Sequence, residues 1–468
     1  MSTKPSGGSR VPKNEVPNEG IPPVGGLTHT APTLGEDQIA TAQLATGLVE
    51  PESIEPPSRW QKALHEIVSG NAIISVLAVV LALVVGAILI ALTDKDVQAA
   101  SAYFFSRPGD TLAAIWRSTS GAYTALFQGS IYNFKKPDFV DGIRPITETL
   151  TFATPLIAAG LGVAVSFRAG LFNIGGRGQM LVAAGAAGYV AFALPMPFPL
   201  HMIVAVLAGM VAGALWGGIA GLLKARTGAH EVIVTIMMNY IGFYLISFLL
   251  RTPGALQAPG QNNPKSSPML PSAIFPELFG PKYNLHFGFI LVIVAAIIVW
   301  YILNRSTLGF QFRAVGANPH AARVAGINVK NIYVYAMLIS GALVGLAGVA
   351  QVLGTVTTGF SAGIDAGIGF DAITVALLGR SRPVGVFFAG ILFGALKAGG
   401  YTMQAGQGIP IDIILVVQSL IVLFIAAPPL VRAIFRLPPP GAMRPRKPKS
   451  TGPKTPNEPQ TAKEVLAQ

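Results

Sequence analysis

Apolar runs of roughly twenty residues recur along most of this chain, and short polar or glycine-rich breaks separate them. The runs fall near 72–93, 148–167, 178–196, 201–223, 232–250, 286–303, 332–352, 371–379, 384–400 and 411–427. A helix needs about 20 mostly apolar residues to cross a bilayer. The pattern therefore predicts an all-α polytopic membrane protein of about ten transmembrane helices. The run at 371–379 is too short alone and is expected to start inside the Gly-rich stretch before it. Residues 1–57 show no apolar periodicity and are rich in Pro, Gly, Ser and Thr, so they read as a disordered tail. No signal peptide is expected, because the first long apolar run begins only near Ala72. Trp60, Leu64, Ile67 and Val68 share helical spacing and suit either a surface helix or an extension of the first span. The membrane domain is placed at 58–430, with 94–147 as an external segment, and 431–468 as a basic tail.

Two breaks differ from the rest. RAGLFNIGGRGQ (168–179) and TVTTGFSAGIDAGIGFDAI (355–373) each lie between apolar runs. Irregular backbone at membrane depth is tolerated only where protein or a water-filled cavity covers it, and paired breaks in a transporter point to its path. By the span count one break opens on each side of the membrane, so both have to dip inward to meet. Asn173, Gln179, Gly363, Asp365 and Asp371 are their polar or flexible members. Asn239, Gln351 and Gln418 lie in or near spans, where interhelical hydrogen bonding is the simplest use of an amide. Gly209, Gly213, Gly217 and Gly221 form one smooth stripe, repeated at Gly341, Gly345 and Gly348 and at Gly390 and Gly394, which predicts close helix packing.

A third feature is the stretch RAVGANPHAARVAGI at 313–327. Asn318 suits an N-cap, Pro319 the first turn and Gly326 the residue past the end of a helix of about seven residues, roughly 10 Å long. The short connections around 224–231, 304–330 and 379–383 carry eight Lys/Arg and one acid. By the positive-inside rule this side is cytosolic, and an even span count puts both termini there. The 304–331 segment is thus read as a rigid cytosolic knob, with Arg313 and Arg323 available to a partner's acids.

Composition narrows the chemistry. Of 468 residues, 51% are hydrophobic and 12% charged, there is no cysteine, and the net charge is +12. Half of that charge sits in residues 432–468, beside a span, which fits the anionic membrane face better than nucleic acid. Disulfides, thiolate nucleophiles and Cys-ligated metals are excluded. The six histidines have no metal spacing, and neither His65-Glu66 nor His230-Glu231 completes HExxH. The GxSxG match at 359–363 has no histidine after it in the chain, as a hydrolase triad would need. No catalytic residue, metal or cofactor is assigned. GxxxxGK[ST] is absent too, so ATP work has to come from a partner. Glu148, Glu231, Lys397 and Asp412 are expected at span edges and Asp371 near a break, leaving no charge ladder of the kind an ion-coupled transporter often uses. A transport path without an energy source needs a socket for one, and the capped helix fits that role.

SFRAGLFNIGGRGQ, HEVIVTIMMNYI, FRAVGANPHAARVAGI and GFDAITVALLGR resemble, in order, the permease subunits of bacterial ABC importers. The family takes in branched-chain amino acid, simple-sugar and nucleoside importers. AYTALFQGSIYN followed by ITETLTFATPLIAAGLGVAVSFRAGLFNIG is similar to the longer of two paired permeases in the nucleoside or simple-sugar branch, and the resemblance covers about 70–430. It implies a type II-like importer fold in the cell membrane, with an ABC ATPase, a second permease (the same or a shorter paralogue) and an external solute-binding protein as partners. It also implies a non-enzymatic subunit that moves a nucleoside or related sugar-containing solute by alternating access. The alternatives are a free sugar, a branched-chain amino acid, or an ion-coupled secondary transporter. Asn318, Pro319, Ala322, Arg323 and Gly326 match the ATPase-docking segment. Asn173, Gly175 and Gln179, with Phe370 and Asp371, fall near the pathway. Arg177 and His230 stand where the family usually has an acid and an asparagine. For a nucleoside, Tyr240, Tyr244, Phe360 and Phe370 are ring-contact candidates, and Asn239 and Gln351 polar ones.

Overall fold

The computed structural model describes residues 71–436. The expected N-terminal tail, the amphipathic stretch at 60–68 and the tail beyond 436 lie outside these residues. In chain order the helices are α1 (Asn71–Thr93), α2 (Lys95–Ser101), α3 (Pro108–Ser130), α4 (Phe139–Gly142), α5 (Arg144–Arg168), α6 (Gly176–Ala193), α7 (Leu200–Thr227) and α8 (Glu231–Leu249). They continue with α9 (Gly288–Arg305), α10 (Thr307–Ala317), α11 (Pro319–Val324), α12 (Val329–Ala350), α13 (Ile368–Leu378), α14 (Pro383–Gln407), α15 (Asp412–Ala426) and α16 (Pro428–Ile434). Strands are missing among the described residues, which hold only isolated β-bridges.

Local chemistry sets many of the boundaries. Side-chain oxygens of Asp94, Ser306, Asn318 and Asn328 cap α2, α10, α11 and α12. Left-handed Gly228 and Gly408 end α7 and α14. Every expected apolar run is helical. Seven helices among the described residues are long and apolar enough to cross a membrane, or eight if α15 and α16, bent by 95°, count as one. The first turn of α6 carries Arg177 and Gln179, and α13 has only 11 residues, so neither qualifies. The segment 94–147, expected as an external connection, contains the 23-residue α3, which packs along α14. Its weak apolarity hid it from a search for long greasy runs.

α5 is the hub. It packs on α14, α12, α13 and α9, and nearly all of its residues from Thr147 to Ser166 are buried or half-buried. The glycine stripes do what their spacing predicts. A Cβ on Gly213 would lie 2.5 Å from the carbonyl oxygen of Gly341, so α7 and α12 touch backbone to backbone. Gly394 meets Thr149 O in the same way, at 2.5 Å, where α14 crosses α5. Side chains there would force the helices apart.

Candidate functional site

Both glycine-rich breaks enter the bundle and meet. Arg168, at the end of α5, donates from Nε to Ser381 O just past α13, at 2.9 Å. These two ends therefore lie at the same level. From that level α13 runs back 11 residues, about 16 Å at 1.5 Å each. There the first turns of α13 and α6 abut: a Cβ on Gly176 would sit 2.7 Å from Gly369 O, and one on Gly369 2.4 Å from Arg177 N. α6 thus starts about 16 Å along α13 from that level, about half the thickness of a hydrocarbon core of about 30 Å, and 169–175 is the non-helical climb over that distance.

Backbone groups on such a climb need partners; the amides of Asn173 and Asn239 supply them, and a third amide, Gln179, braces Asn173. Asn173 is fully buried; its Oδ1 accepts from Gly175 N at 2.9 Å and its Nδ2 donates to Ser340 Oγ at 2.9 Å. Gln179 pairs with Asn173 through both amide atoms at 3.2 Å. Asn239 Oδ1 accepts from Gly178 N at 2.8 Å, and its Nδ2 donates to Ile174 O at 2.9 Å. The three residues form one clasp joining α6, α8 and α12. All three are buried within the bundle beside the break.

The second break follows a π-helical turn at Gln351–Thr355. The segment 251–287 satisfies the backbone carbonyls released there. Phe275 N donates to Leu353 O, Met269 N to Thr357 O and Ser266 N to Phe360 O, each at 2.9 Å. Two ion pairs fix the break from the other side. Arg177 Nε lies 3.2 Å from Asp365 Oδ1, with its guanidinium 4.7 Å from the Phe243 ring centre. Lys397 Nζ lies 3.0 Å from Asp371 Oδ2 and 3.3 Å from Ala366 O. Arg177 is thus matched by an acid of the facing break. Lys397 is not at a span edge as its apolar run suggested: α14 continues to Gln407, which leaves Lys397 well inside the helix.

Two adjoining cavities open beside this break, of about 290 and 550 Å³, and Phe152, Gln351 and Thr355 line both. The smaller adds Glu148, Glu277, Asn284 and His286; the larger adds Lys265 and Ser361. Phe152 stacks on Tyr401 with ring centres 5.5 Å apart. The walls therefore offer an aromatic face, an amide and acids for hydroxyl groups. Gln351 is the sequence candidate that reaches this space. Phe370 is half exposed beside Asp371. Phe360 is buried, its ring against Gly188, and Tyr240 and Tyr244 point outward from α8. Phe152 and Tyr401 went unnoticed in the sequence, where nothing distinguishes them from ordinary span residues. Gln418 is buried with neither amide atom partnered among the described residues.

The 304–331 segment is two helices rather than one. Ser306 Oγ caps α10 by accepting from Gly309 N at 3.1 Å. Asn318 Oδ1 caps α11 by accepting from His320 N at 2.9 Å and Ala321 N at 3.1 Å. Pro319 opens α11, a six-residue helix. At its end Gly326 takes φ +83°, Gly326 N bonds Arg323 O, and Ile327 N bonds Ala322 O, both at 3.0 Å. That is a complete Schellman closure. Ala322 is buried, while Arg323 and Val324 face outward. Arg313 donates to Leu303 O, closing the end of α9. A Cβ on Gly316 would lie 2.4 Å from Arg168 O, so α10 rests directly on the end of α5. Among the described residues no group of three His, Asp or Glu is placed to hold a metal.

A profile of the family described as "Branched-chain amino acid transport system / permease component" matches residues 146–426. The chain is 40% identical over 318 residues to a guanosine ABC transporter permease protein of Bacillus subtilis (strain 168), covering 68% of this chain and 88% of that one. It is 35% identical over 289 residues to a glucose ABC transporter permease protein of Haloferax volcanii, covering 60% and 75%. A second guanosine ABC transporter permease protein of B. subtilis is 29% identical over 255 residues, covering 53% and 79%. No solved structure matches. ABC importers of this kind consist of permeases, which are not enzymes, a partner subunit that uses ATP, and a solute-binding protein. The chain belongs to the branched-chain amino acid transport system permease family, and it is a multi-pass membrane subunit of an ABC importer.

Proposed function

We propose that this chain imports a nucleoside or a closely related sugar-containing solute, working as one of two unlike permeases. Both termini are assigned to the cytosol, with α10 and α11 there as the ATPase-coupling element. The two guanosine permease relatives from one organism support both the substrate class and the pairing. The observation that carries the path is the cavity pair at the second break, with Gln351 and the stacked Phe152 on its wall. A flat base suits the aromatic face and ribose hydroxyls suit the amide and acids. Gln351, Phe370 and Asp371 are assigned to the path itself. Asn173, Gln179 and Asn239 hold α6 at depth beneath it, and Phe360 packs behind it. Asn318, Pro319, Ala322, Arg323 and Gly326 form the knob that meets the ATPase.

Uptake of guanosine, glucose and leucine by cells carrying the complete importer tests this. Guanosine is expected to be transported, with Gln351→Ala and Phe152→Ala raising its KM about tenfold each, the scale of one lost polar or ring contact of about 1.4 kcal/mol. Glucose transport without guanosine transport would favour the second reading, a free sugar, which the H. volcanii relative supports. Unchanged guanosine uptake in both variants would remove the cavity from the path.

A further inference from the structure

A different cavity, at the opposite end of α9, has the form of an amphiphile site. It encloses about 470 Å³ where the ends of α5 and α9 and the middle of α10 meet the α13–α14 turn. Four arginines line it, Arg168, Arg305, Arg313 and Arg382, and no acid does. Two of them have structural duties: Arg168 holds Ser381 O and Arg313 holds Leu303 O. Arg305 and Arg382 are exposed, and neither guanidinium makes a hydrogen bond or ion pair among the described residues. The turn that presents Arg382 has two consecutive non-glycine residues at positive φ, Arg380 at 53° and Ser381 at 51°. Strain of this kind persists only where the surroundings hold it, and here the Arg168 bond to Ser381 does.

The cavity does not end at the arginines. Trp300, Pro383 and Val384 line it and also line a second, apolar groove of about 300 Å³ running between α9 and α14, walled by Ile293, Ile297 and Phe387. One mouth therefore offers a cationic pocket, an indole at the boundary and a greasy channel along the bundle's outer surface. Indole rings of this kind favour the headgroup level of a bilayer. A soluble partner's acidic side chains could satisfy the arginines but would make no use of the channel.

We propose that this composite site binds one anionic phospholipid, with its phosphate among Arg305, Arg382, Arg168 and Arg313 and an acyl chain in the α9–α14 groove. The assignment does not depend on which side of the membrane the site faces. It also does not rest on the nucleoside reading. Its position beside α10 and the α13–α14 turn would tie lipid charge to the elements proposed to couple transport to the ATPase.

Native mass spectrometry of the full chain, released from detergent with added phosphatidylglycerol or phosphatidylcholine, tests it. Phosphatidylglycerol should be retained about tenfold better than phosphatidylcholine, and Arg305→Gln with Arg382→Gln should abolish that preference, in line with the attraction of basic residues for anionic lipid. The lysine pair Arg305→Lys with Arg382→Lys should keep it. Ala296→Trp, which plugs the groove and spares the arginines, should weaken phosphatidylglycerol retention on its own. Equal retention of the two lipids overturns the proposal, as does a preference unchanged in the double glutamine variant. Glycerol 3-phosphate competing as well as the whole lipid would show a plain anion pocket and also overturn it. So would loss of the bound lipid when the ATPase assembles on the chain, because the arginines would then belong to that partner.

Discussion

Single side chains decide whether broken helices survive at membrane depth. Asn173 and Asn239 spend amide atoms on the backbone of Ile174, Gly175 and Gly178, and Gln179 braces the Asn173 amide. Asn318 has a smaller task at the surface, capping two backbone N–H groups of α11. Asn318→Ala should cost about 1 kcal/mol of local helix stability. The expected readout is uptake falling relative to ATP hydrolysis in the assembled importer, with Asn318→Asp retaining both. Equal coupling in the alanine variant would show that the cap has no part in transmission. His286 offers a pH test. It lies outside α9, stacked on Phe275 with its Nδ1 accepting from Gly288 N, and burial lowers its pKa to about 4. Because the folded pKa lies below the unfolded value of 6.5, the unfolded chain takes up the proton first as pH falls. Stability should therefore drop between pH 6.5 and 4, by about 3 kcal/mol in all. Thermal unfolding in detergent across that window should show the drop, and His286→Gln should flatten it.

Among the elements, the helices that touch through glycine are the least tolerant of change. Gly213→Leu would drive a side chain into the Gly341 carbonyl and should destabilise the protein by several kcal/mol, since overpacking alone costs about 1–3 kcal/mol. Gly406→Ala, on α14 with nothing within 4 Å of the added carbon, should stay within about 0.5 kcal/mol of the parent. Comparing their melting temperatures tests the packing directly. These stripes were legible in the sequence because a four-residue repeat of glycine has one simple structural use. The α11 caps were legible for the same reason: Asn-Pro at one end and Gly at the other specify a short helix. α3 was not, because its apolar residues favour one face but are too diluted by polar ones to form a long greasy run. α10 was missed as well, its Ser306 cap being lost among polar connecting residues. The meeting of the two breaks was anticipated only as a requirement. The pair that bridges them, Arg177 with Asp365, and the pair that ties the second break to α14, Lys397 with Asp371, lie 188 and 26 residues apart, and no spacing rule connects them.

At the scale of the molecule, contacts run without a gap from α11 through α10 to the end of α5, and Phe152 of α5 lines the cavities that open beside the second break. If α10 and α11 dock the ATPase as proposed, this continuity is the mechanical route from that motor to the proposed path, and the sequence holds no GxxxxGK[ST] loop of its own. The direct measurement is uptake of labelled guanosine into proteoliposomes, comparing this chain alone with the chain joined by its ATPase, second permease and binding protein. Uptake is predicted only in the full assembly, stopping when the ATPase is disabled and indifferent to ion gradients. Uptake by the chain alone, or uptake driven by an imposed ion gradient, would contradict the account.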